Sequence, residues 1–199
     1  SFFGIYRLHQ SLQVFDVQVA AAHQSERLAA GMLGTFKTQV QEWKNVLLRG
    51  TDAEQLERYW GSFGKSEQEV ALLGQQLMTA LPAGEARRLV EQFLLEHRKM
   101  GEGYRQGLEA YKAAGFAAAA GDKAVSGMDR APARLLDEAG QQIARDAGDL
   151  AQRASEQGRQ AVIASLAMVL MVCAASAALS VWLARSLMRP IRQAVAHTE

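Results

Sequence analysis

Few side chains in this sequence have the types and spacing that catalysis or metal binding requires. The four histidines, His9, His23, His97 and His197, are scattered along the chain, and the only cysteine is Cys173. No Ser/His/Asp grouping, paired acidic site or metal-ligand spacing is evident. We therefore expect no enzymatic activity, no metal and no cofactor. The chemistry that remains is recognition by charged and polar side chains.

Two such side chains, Glu67 and His97, stand where apolar residues are otherwise spaced along two predicted helices. Each lies at a similar distance from the connection at 81–84, so antiparallel helices would place both in one layer. There they could hydrogen-bond across the core, with Arg145 near the same level. Two interpretations stay open. The layer is either a ligand-binding or pH-sensitive site, or a core contact that fixes the register of the helices.

A second candidate involves arginines. Glu26 interrupts the apolar stripe of the first predicted helix, and Arg87 and Arg88 near the start of the third are expected at a similar height. One interpretation is a structural ion pair with Glu26. The other is recognition of an anion by the arginines, because the forked guanidinium group suits carboxylates.

Hydrophobic periodicity predicts the elements that position these residues. Apolar residues alternate at spacings of four and three, which is typical of long helices packed along a seam. Similar stripes predict a second helix that starts at the capping box 51–54 and ends at Leu81, and a third that has Pro82 in its first turn and fades in the alanine-rich run 117–120. A fourth helix is predicted at 132–188, after a long connection at 119–130. The sequence thus predicts an all-α fold, an up-down-up-down antiparallel four-helix bundle. In the first helix the stripe consists of Leu8, Leu12, Phe15, Val19, Ala22, Glu26, Ala29, Leu33, Phe36, Val40, Trp43 and Leu47.

An uncharged apolar stretch at 161–183 continues the fourth helix without a turn signal. As a helix it would be about 35 Å long, enough to span a bilayer core of about 30 Å. Basic residues follow it, which indicates that the C-terminal side is cytoplasmic and the large domain is outside. Lys and Arg number 22 against 21 Asp and Glu, so the net charge of +1 gives no reason to expect nucleic-acid binding.

The expected organisation has four parts. Residues 1–7 are uncharged and aromatic up to Arg7 and suggest the end of a truncated first transmembrane helix; an ordinary hydrophobic helix start is the alternative. Residues 8–160 form the bundle, which is periplasmic if the cell is Gram-negative. Residues 161–184 form a transmembrane helix, and 185–199 begin a cytoplasmic linker.

Two motifs resemble those of bacterial methyl-accepting chemotaxis proteins. Residues 36–50, Phe-Lys-Thr-Gln-Val-Gln-Glu-Trp-Lys-Asn-Val-Leu-Leu-Arg-Gly, resemble the distal end of the first helix in many of these receptors. Residues 187–192, Leu-Met-Arg-Pro-Ile-Arg, resemble the opening of a HAMP linker. The resemblance implies a homodimeric receptor in the bacterial inner membrane whose fourth helix shifts when a small molecule or protein binds outside. A cytoplasmic histidine kinase and its coupling protein would then respond. Sensor histidine kinases and diguanylate cyclases use similar bundles, and a membrane adaptor that binds no small molecule is a further alternative.

The resemblance also assigns expectations to single residues. The polar residues of the distal motif either contact a ligand or partner, or cap the end of the bundle and pair with the connection between the third and fourth helices. Arg185 and Pro190 would hand the motion of the fourth helix to the HAMP linker. The distal residues are Gln41, Glu42, Trp43, Lys44, Asn45 and Arg49.

Overall fold

Five helices make up the fold in the computed structural model, which describes the backbone of residues 2–195 and the side chains of residues 17–185. The prediction of an all-α, up-down-up-down antiparallel four-helix bundle is confirmed, and no strand occurs in that part of the chain. The helices are α1 (Phe2–Arg49), α2 (Ala53–Ala80), α3 (Glu85–Ala113), α4 (Ala118–Ala124) and α5 (Arg130–Val195).

Short connections make successive long helices antiparallel neighbours. Between α1 and α2, the Asp52 carboxylate caps α2 by accepting a hydrogen bond from the Gln55 backbone N–H at 2.9 Å. Between α2 and α3, the Arg87 guanidinium donates to the Leu81 carbonyl oxygen at 3.1 Å. Each turn is therefore fixed by a side chain that satisfies a backbone group at a helix end.

The short helix α4 lies where the sequence predicted a connection. Its alanine-rich run has the highest intrinsic helix propensity, and two glycines let it approach its neighbours closely. A Cβ atom at Gly107 of α3 would lie 2.4 Å from Val125 Cγ1, and one at Gly121 would lie 2.6 Å from Leu47 Cδ2. The segment is thus part of the packed bundle rather than a free loop.

Replacing Gly107 with alanine is expected to destabilise the bundle by about 1–3 kcal/mol, because the methyl group overlaps the short Val125 side chain and meets the Trp43 ring. Gly61→Ala is the control, since a Cβ there meets nothing within 4 Å. That change should stabilise the protein by about 0.5–1 kcal/mol. Urea unfolding in detergent micelles, followed by near-ultraviolet circular dichroism, measures the free energy of unfolding of both variants. Equal changes in the two variants would rule out the steric explanation.

Aromatic rings form the centre of the core. Phe63 stacks between Trp60, at a centroid distance of 4.9 Å, and Tyr104, at 5.4 Å. Trp43 of α1 meets the Tyr104 ring edge-on at 5.2 Å. Because the rings come from α1, α2 and α3, one cluster ties three of the four long helices together. Leu135, Leu136, Ala139 and Ile143 of α5 close the same core.

The predicted stripe of α3 is confirmed in full, whereas that of α1 is confirmed only in part. Ala29, Phe36, Trp43 and Leu47 of α1 are buried as predicted. Between them the core takes Ser25, Met32, Gln39 and Val46, while Glu26, Leu33 and Val40 are only half-buried. Two adjacent stripes with the same spacing share Ala29, Phe36 and Trp43, so periodicity alone does not choose between the two stripes. The α3 stripe consists of Ala86, Val90, Phe93, His97, Met100, Tyr104, Gly107 and Tyr111.

The chain divides into a bundle unit, Ser11–Ala151, and a second unit that includes the apolar part of α5. Among the described residues, one helix, over Arg130–Arg185, is long and apolar enough to cross a membrane, and its apolar window is not buried inside the protein. This exposure is unlike that of a core helix in a soluble protein.

Several predictions from the sequence fall wholly or largely outside the described side chains. These are the truncated first span at 1–7, the Pro190 relay and most of the linker at 185–199. Arg185 is described, and its side chain is exposed.

Candidate functional site

A buried hydrogen bond joins α1 to α3 in the middle of the bundle. Nε2 of His97 lies 2.7 Å from Oε1 of Gln39, and both residues are almost fully buried. A carbonyl oxygen only accepts, so in this arrangement the His97 Nε2–H donates. The His97 ring also stacks on Phe93 at 5.3 Å and meets the edge of Phe36 at 6.0 Å. These contacts fix the orientation of the imidazole.

Two other buried donors in this region have no partner. They are Nε2 of Gln39 and Nε1 of Trp43, which lie one helical turn apart on α1. Leaving a buried donor unpaired costs about 1–3 kcal/mol, so most proteins satisfy such groups. These two N–H groups could therefore bind an acceptor, and the surrounding side chains do not supply one.

An ion pair also joins α2 and α3. Arg105 holds the Glu67 carboxylate through two hydrogen bonds, Nη1 to Oε1 at 3.0 Å and Nη2 to Oε2 at 2.5 Å. The hydrogen bond that Arg105 donates to Glu67 is the largest cause that raises the pKa of Arg105. The carboxylate rests on the α3 backbone at Gly101, where a Cβ atom would lie only 1.8 Å from Oε1. Glycine is therefore required for this placement.

We define the polar layer as Gln39, Trp43, Glu67, His97 and Arg105. The charge of Glu67 raises the pKa of His97, but these two residues do not form the predicted hydrogen bond. His97 binds Gln39 and Glu67 binds Arg105 instead. Arg105 gives the Glu67 carboxylate a bidentate partner, and the Gln39 amide reaches the His97 ring from α1.

Arg145 was expected near this layer, and the structure places it elsewhere. Its guanidinium is exposed and donates to Gln142 Oε1 on the same helix at 2.7 Å. A partner one turn away on its own helix is easier for this long side chain to reach than the interior of the bundle.

The predicted pairing of Glu26 with Arg87 or Arg88 is also wrong. Glu26 lies 2.9 Å from His23 on its own helix. Arg88 pairs with Glu85 across one turn of α3, and Arg87 holds the α2–α3 turn. Each of the three side chains thus binds a local partner, and of the two arginines only Arg88 forms an ion pair.

The distal motif is divided between core and surface. Trp43 is buried, Gln41 and Lys44 are exposed, and Asn45 donates to Glu42 on the same helix at 3.2 Å. The Arg49 guanidinium donates to the Tyr59 hydroxyl at 2.7 Å and lies 5.4 Å from the centre of that ring. Arg49 therefore connects α1 to α2, which favours the capping interpretation, although its partner is on α2 rather than in the segment between α3 and α5.

Sequence reasoning missed Gln39 and Arg105. Gln39 had a detectable signal, since it lies three residues after Phe36 and four before Trp43, in phase with two core aromatics. Arg105 lies two turns beyond His97 on α3, and nothing in the sequence distinguishes it from the other exposed arginines.

Burial lowers the pKa of His97, and the nearby charge of Glu67 opposes that effect. Because the folded protein binds this proton less readily than the unfolded chain, His97 contributes stability above the ordinary value of 6.5. That contribution is lost as the pH falls from 6.5 through the lowered folded-state pKa.

Acidification from about pH 7.5 to about pH 5.5 should therefore lower the free energy of unfolding more in the wild type than in His97→Gln. The glutamine can still exchange hydrogen bonds with Gln39 but does not titrate. Urea unfolding in detergent micelles at both pH values measures the difference. Parallel pH dependences in the two proteins would contradict the assignment.

A shallow groove of about 360 Å³ lies between α1 and α5 in the bundle unit. Its floor is made of small and apolar residues, and Glu26, Asp137 and Gln141 supply polar groups. The remaining lining residues are Ala29, Ala30, Leu33, Leu136, Gly140 and Ala144. Within residues 17–185, no group of three or more His, Cys, Asp or Glu residues is placed to hold a metal ion.

Comparison with known proteins gives one strong similarity. The methyl-accepting chemotaxis protein CtpH of Pseudomonas aeruginosa is 36% identical over 165 residues, which is 81% of this chain and 28% of that protein. The chain therefore spans little more than a quarter of the length of this relative. No protein-family model matches the chain, and no solved structure matches it significantly.

Proposed function

The chain is a homologue of the methyl-accepting chemotaxis proteins, and from that premise we propose that it is the ligand-sensing and signal-transmitting part of a chemoreceptor. The observation that carries this proposal is the combination of the homology with the architecture of α5. That helix begins in the packed bundle at Arg130 and contains the one described segment that can span a membrane. Sensing and transmission would then be properties of one continuous element.

In this proposal the bundle lies in the periplasm and α5 crosses the inner membrane. The exposed apolar side chains of 162–183 would face lipid, which removes the cost of leaving them in water. Ser165, Ser176 and Ser180 fit such an environment, because each hydroxyl donates to the carbonyl oxygen four residues earlier. Their polar groups are thus satisfied within the helix.

Signalling would require only a difference in binding energy between two positions of α5. A coupling free energy of about 1–3 kcal/mol is sufficient to change the output of a receptor severalfold. The displacement would pass through Arg185 and Pro190 to a HAMP linker and onward to a histidine kinase and its coupling protein. The chain itself would catalyse no reaction.

We further propose that two copies pack through the α1–α5 groove. The half-buried residues Glu26 and Leu33 of α1 line this groove. Gly140 of α5 also lines it and adds space, since a Cβ atom there meets nothing within 4 Å. A glycine within a helix lowers its stability by about 1 kcal/mol relative to alanine. Close approach of a second helix would be a reason for glycine at this position.

A thermal-shift screen of the whole chain in lipid nanodiscs tests direct sensing. The probes are amino acids, organic acids and inorganic anions, each at concentrations up to the millimolar range. A ligand at about 100 times its Kd should stabilise the folded bundle by about 2.7 kcal/mol. If no compound shifts the unfolding temperature while the receptor still signals through a binding partner, the direct-sensing proposal is wrong.

A further inference from the structure

The polar layer has a feature that ligand sensing does not explain. Two buried donors, Gln39 Nε2 and Trp43 Nε1, lack acceptors although a carboxylate lies nearby on Gly101. That carboxylate, Glu67, is instead directed to Arg105, whose side chain is 55% exposed. Two buried donors of the layer are thus unpaired, while its one carboxylate binds Arg105, which water could solvate.

The three relevant α3 positions follow one another along a single face. His97, Gly101 and Arg105 are spaced by four residues, so they stack one turn apart. Glu67 lies over Gly101 and therefore sits between the imidazole on one side and the guanidinium on the other. An exchange of partner from Arg105 to His97 would involve rotation about the Glu67 side-chain bonds.

Protonation of His97 supplies a reason for that exchange. The neutral ring donates through Nε2 to Gln39 Oε1, so the proton that binds from solvent must go to Nδ1. Both ring nitrogens then donate, and a buried imidazolium without an acceptor is strongly disfavoured. The ring gains a positive charge at the same moment, which attracts the nearest anion.

The groups around the ring identify that anion. From α2 the charge that acts on His97 is Glu67, and from α1 the facing polar group is neutral Gln39. On α3 itself, Arg105 is engaged by Glu67, and α5 contributes Leu136, Ala139 and Ile143 to the core. Glu67 is therefore the carboxylate to which a protonated His97 turns.

We propose that His97 is a proton-binding site whose occupation draws the Glu67 carboxylate away from Arg105 and toward the imidazole ring. There the carboxylate accepts from His97 Nδ1–H, on the side of the ring opposite Gln39. Arg105 is released to solvent. Acid thus exchanges an α2–α3 surface ion pair for a buried link among α1, α2 and α3, and the chain responds to pH as well as to any ligand. This response does not depend on the proposed signalling function.

Nuclear magnetic resonance on the isotope-labelled chain in nanodiscs tests the exchange directly. The signals are the His97 ring nitrogens, the Arg105 Nε–H and the Gln39 side-chain amide, followed from about pH 8 to about pH 5. We expect all three to change together with the midpoint of the His97 titration. An Arg105 signal that stays constant while His97 titrates would overturn the proposal, as would a His97 ring that stays neutral until the protein unfolds.

Two variants sharpen the result. In Glu67→Gln the attracting charge is lost, so the His97 midpoint should fall by about 0.5–1 pH unit and the Arg105 signal should no longer follow it. His23→Gln is the matched control, because His23 is an exposed histidine paired with Glu26 on α1. It should leave the His97 titration unchanged. An unchanged His97 midpoint in Glu67→Gln would contradict the proposal even if the wild-type signals moved together.

Discussion

Replacing Phe63 with alanine is expected to lower the free energy of unfolding by about 3–5 kcal/mol. The Phe63 side chain is 1% exposed and stacks between Trp60 and Tyr104. Truncation removes both ring contacts and leaves a cavity that rigid neighbouring rings fill poorly. A loss of this size approaches half the stability of a typical domain, which is about 5–15 kcal/mol.

Leu72→Ala on the same helix is the matched control. Its side chain is 55% exposed, so truncation should change the free energy of unfolding by less than about 0.5 kcal/mol. Urea unfolding in detergent micelles, followed by near-ultraviolet circular dichroism, reports on the aromatic cluster itself. Similar losses in the two variants would show that Phe63 is not at the centre of the core.

Interrupting α5 between the bundle and the apolar segment is expected to abolish signal output while leaving ligand binding intact. Changing Ser155, Glu156 and Gln157 to glycine creates a run of four glycines with Gly158. Each new glycine is less favourable in a helix than alanine by about 1 kcal/mol, so the glycine variant would be about 3 kcal/mol less stable locally than the corresponding triple alanine variant. The three side chains are exposed, so the bundle core should not be disturbed.

The triple alanine variant at the same positions is the control for the interruption. It removes the same side chains, including the Gln152–Glu156 hydrogen bond, but keeps a strong helix former at each position. Kinase activity in membranes measures the signal output, and thermal shift on the same preparations measures ligand binding. Normal output from the glycine variant would show that a continuous α5 is not needed for transmission.

The fold was largely predictable from stripes such as that of α3. Apart from His97, the residues of that stripe are apolar or glycine, and all of its positions are buried. In α1, by contrast, Leu33 and Met32 belong to two stripes of equal spacing that share Phe36. Choosing between them depends on how α1 rotates against its neighbours, and the sequence of one helix does not contain that information.

The site was predictable only in part. The approach of Glu67 and His97 followed from helix length and antiparallel packing, which depend on backbone geometry alone. Their partners depend on side-chain direction and on competition among nearby groups. Arg105 binds Glu67 because Gly101 leaves room for the carboxylate, and that consequence of a missing side chain is visible only in three dimensions.

Ligand sensing by this chain and transmission through α5 can be tested together by a fusion of residues 1–199 to the kinase-control module of a methyl-accepting chemotaxis protein, expressed in cells that lack other chemoreceptors. Kinase activity is measured as a compound identified by thermal shift is added. We expect the activity to change over the same concentration range in which the compound stabilises the bundle. Saturable stabilisation with constant kinase activity would show that α5 does not transmit the binding event.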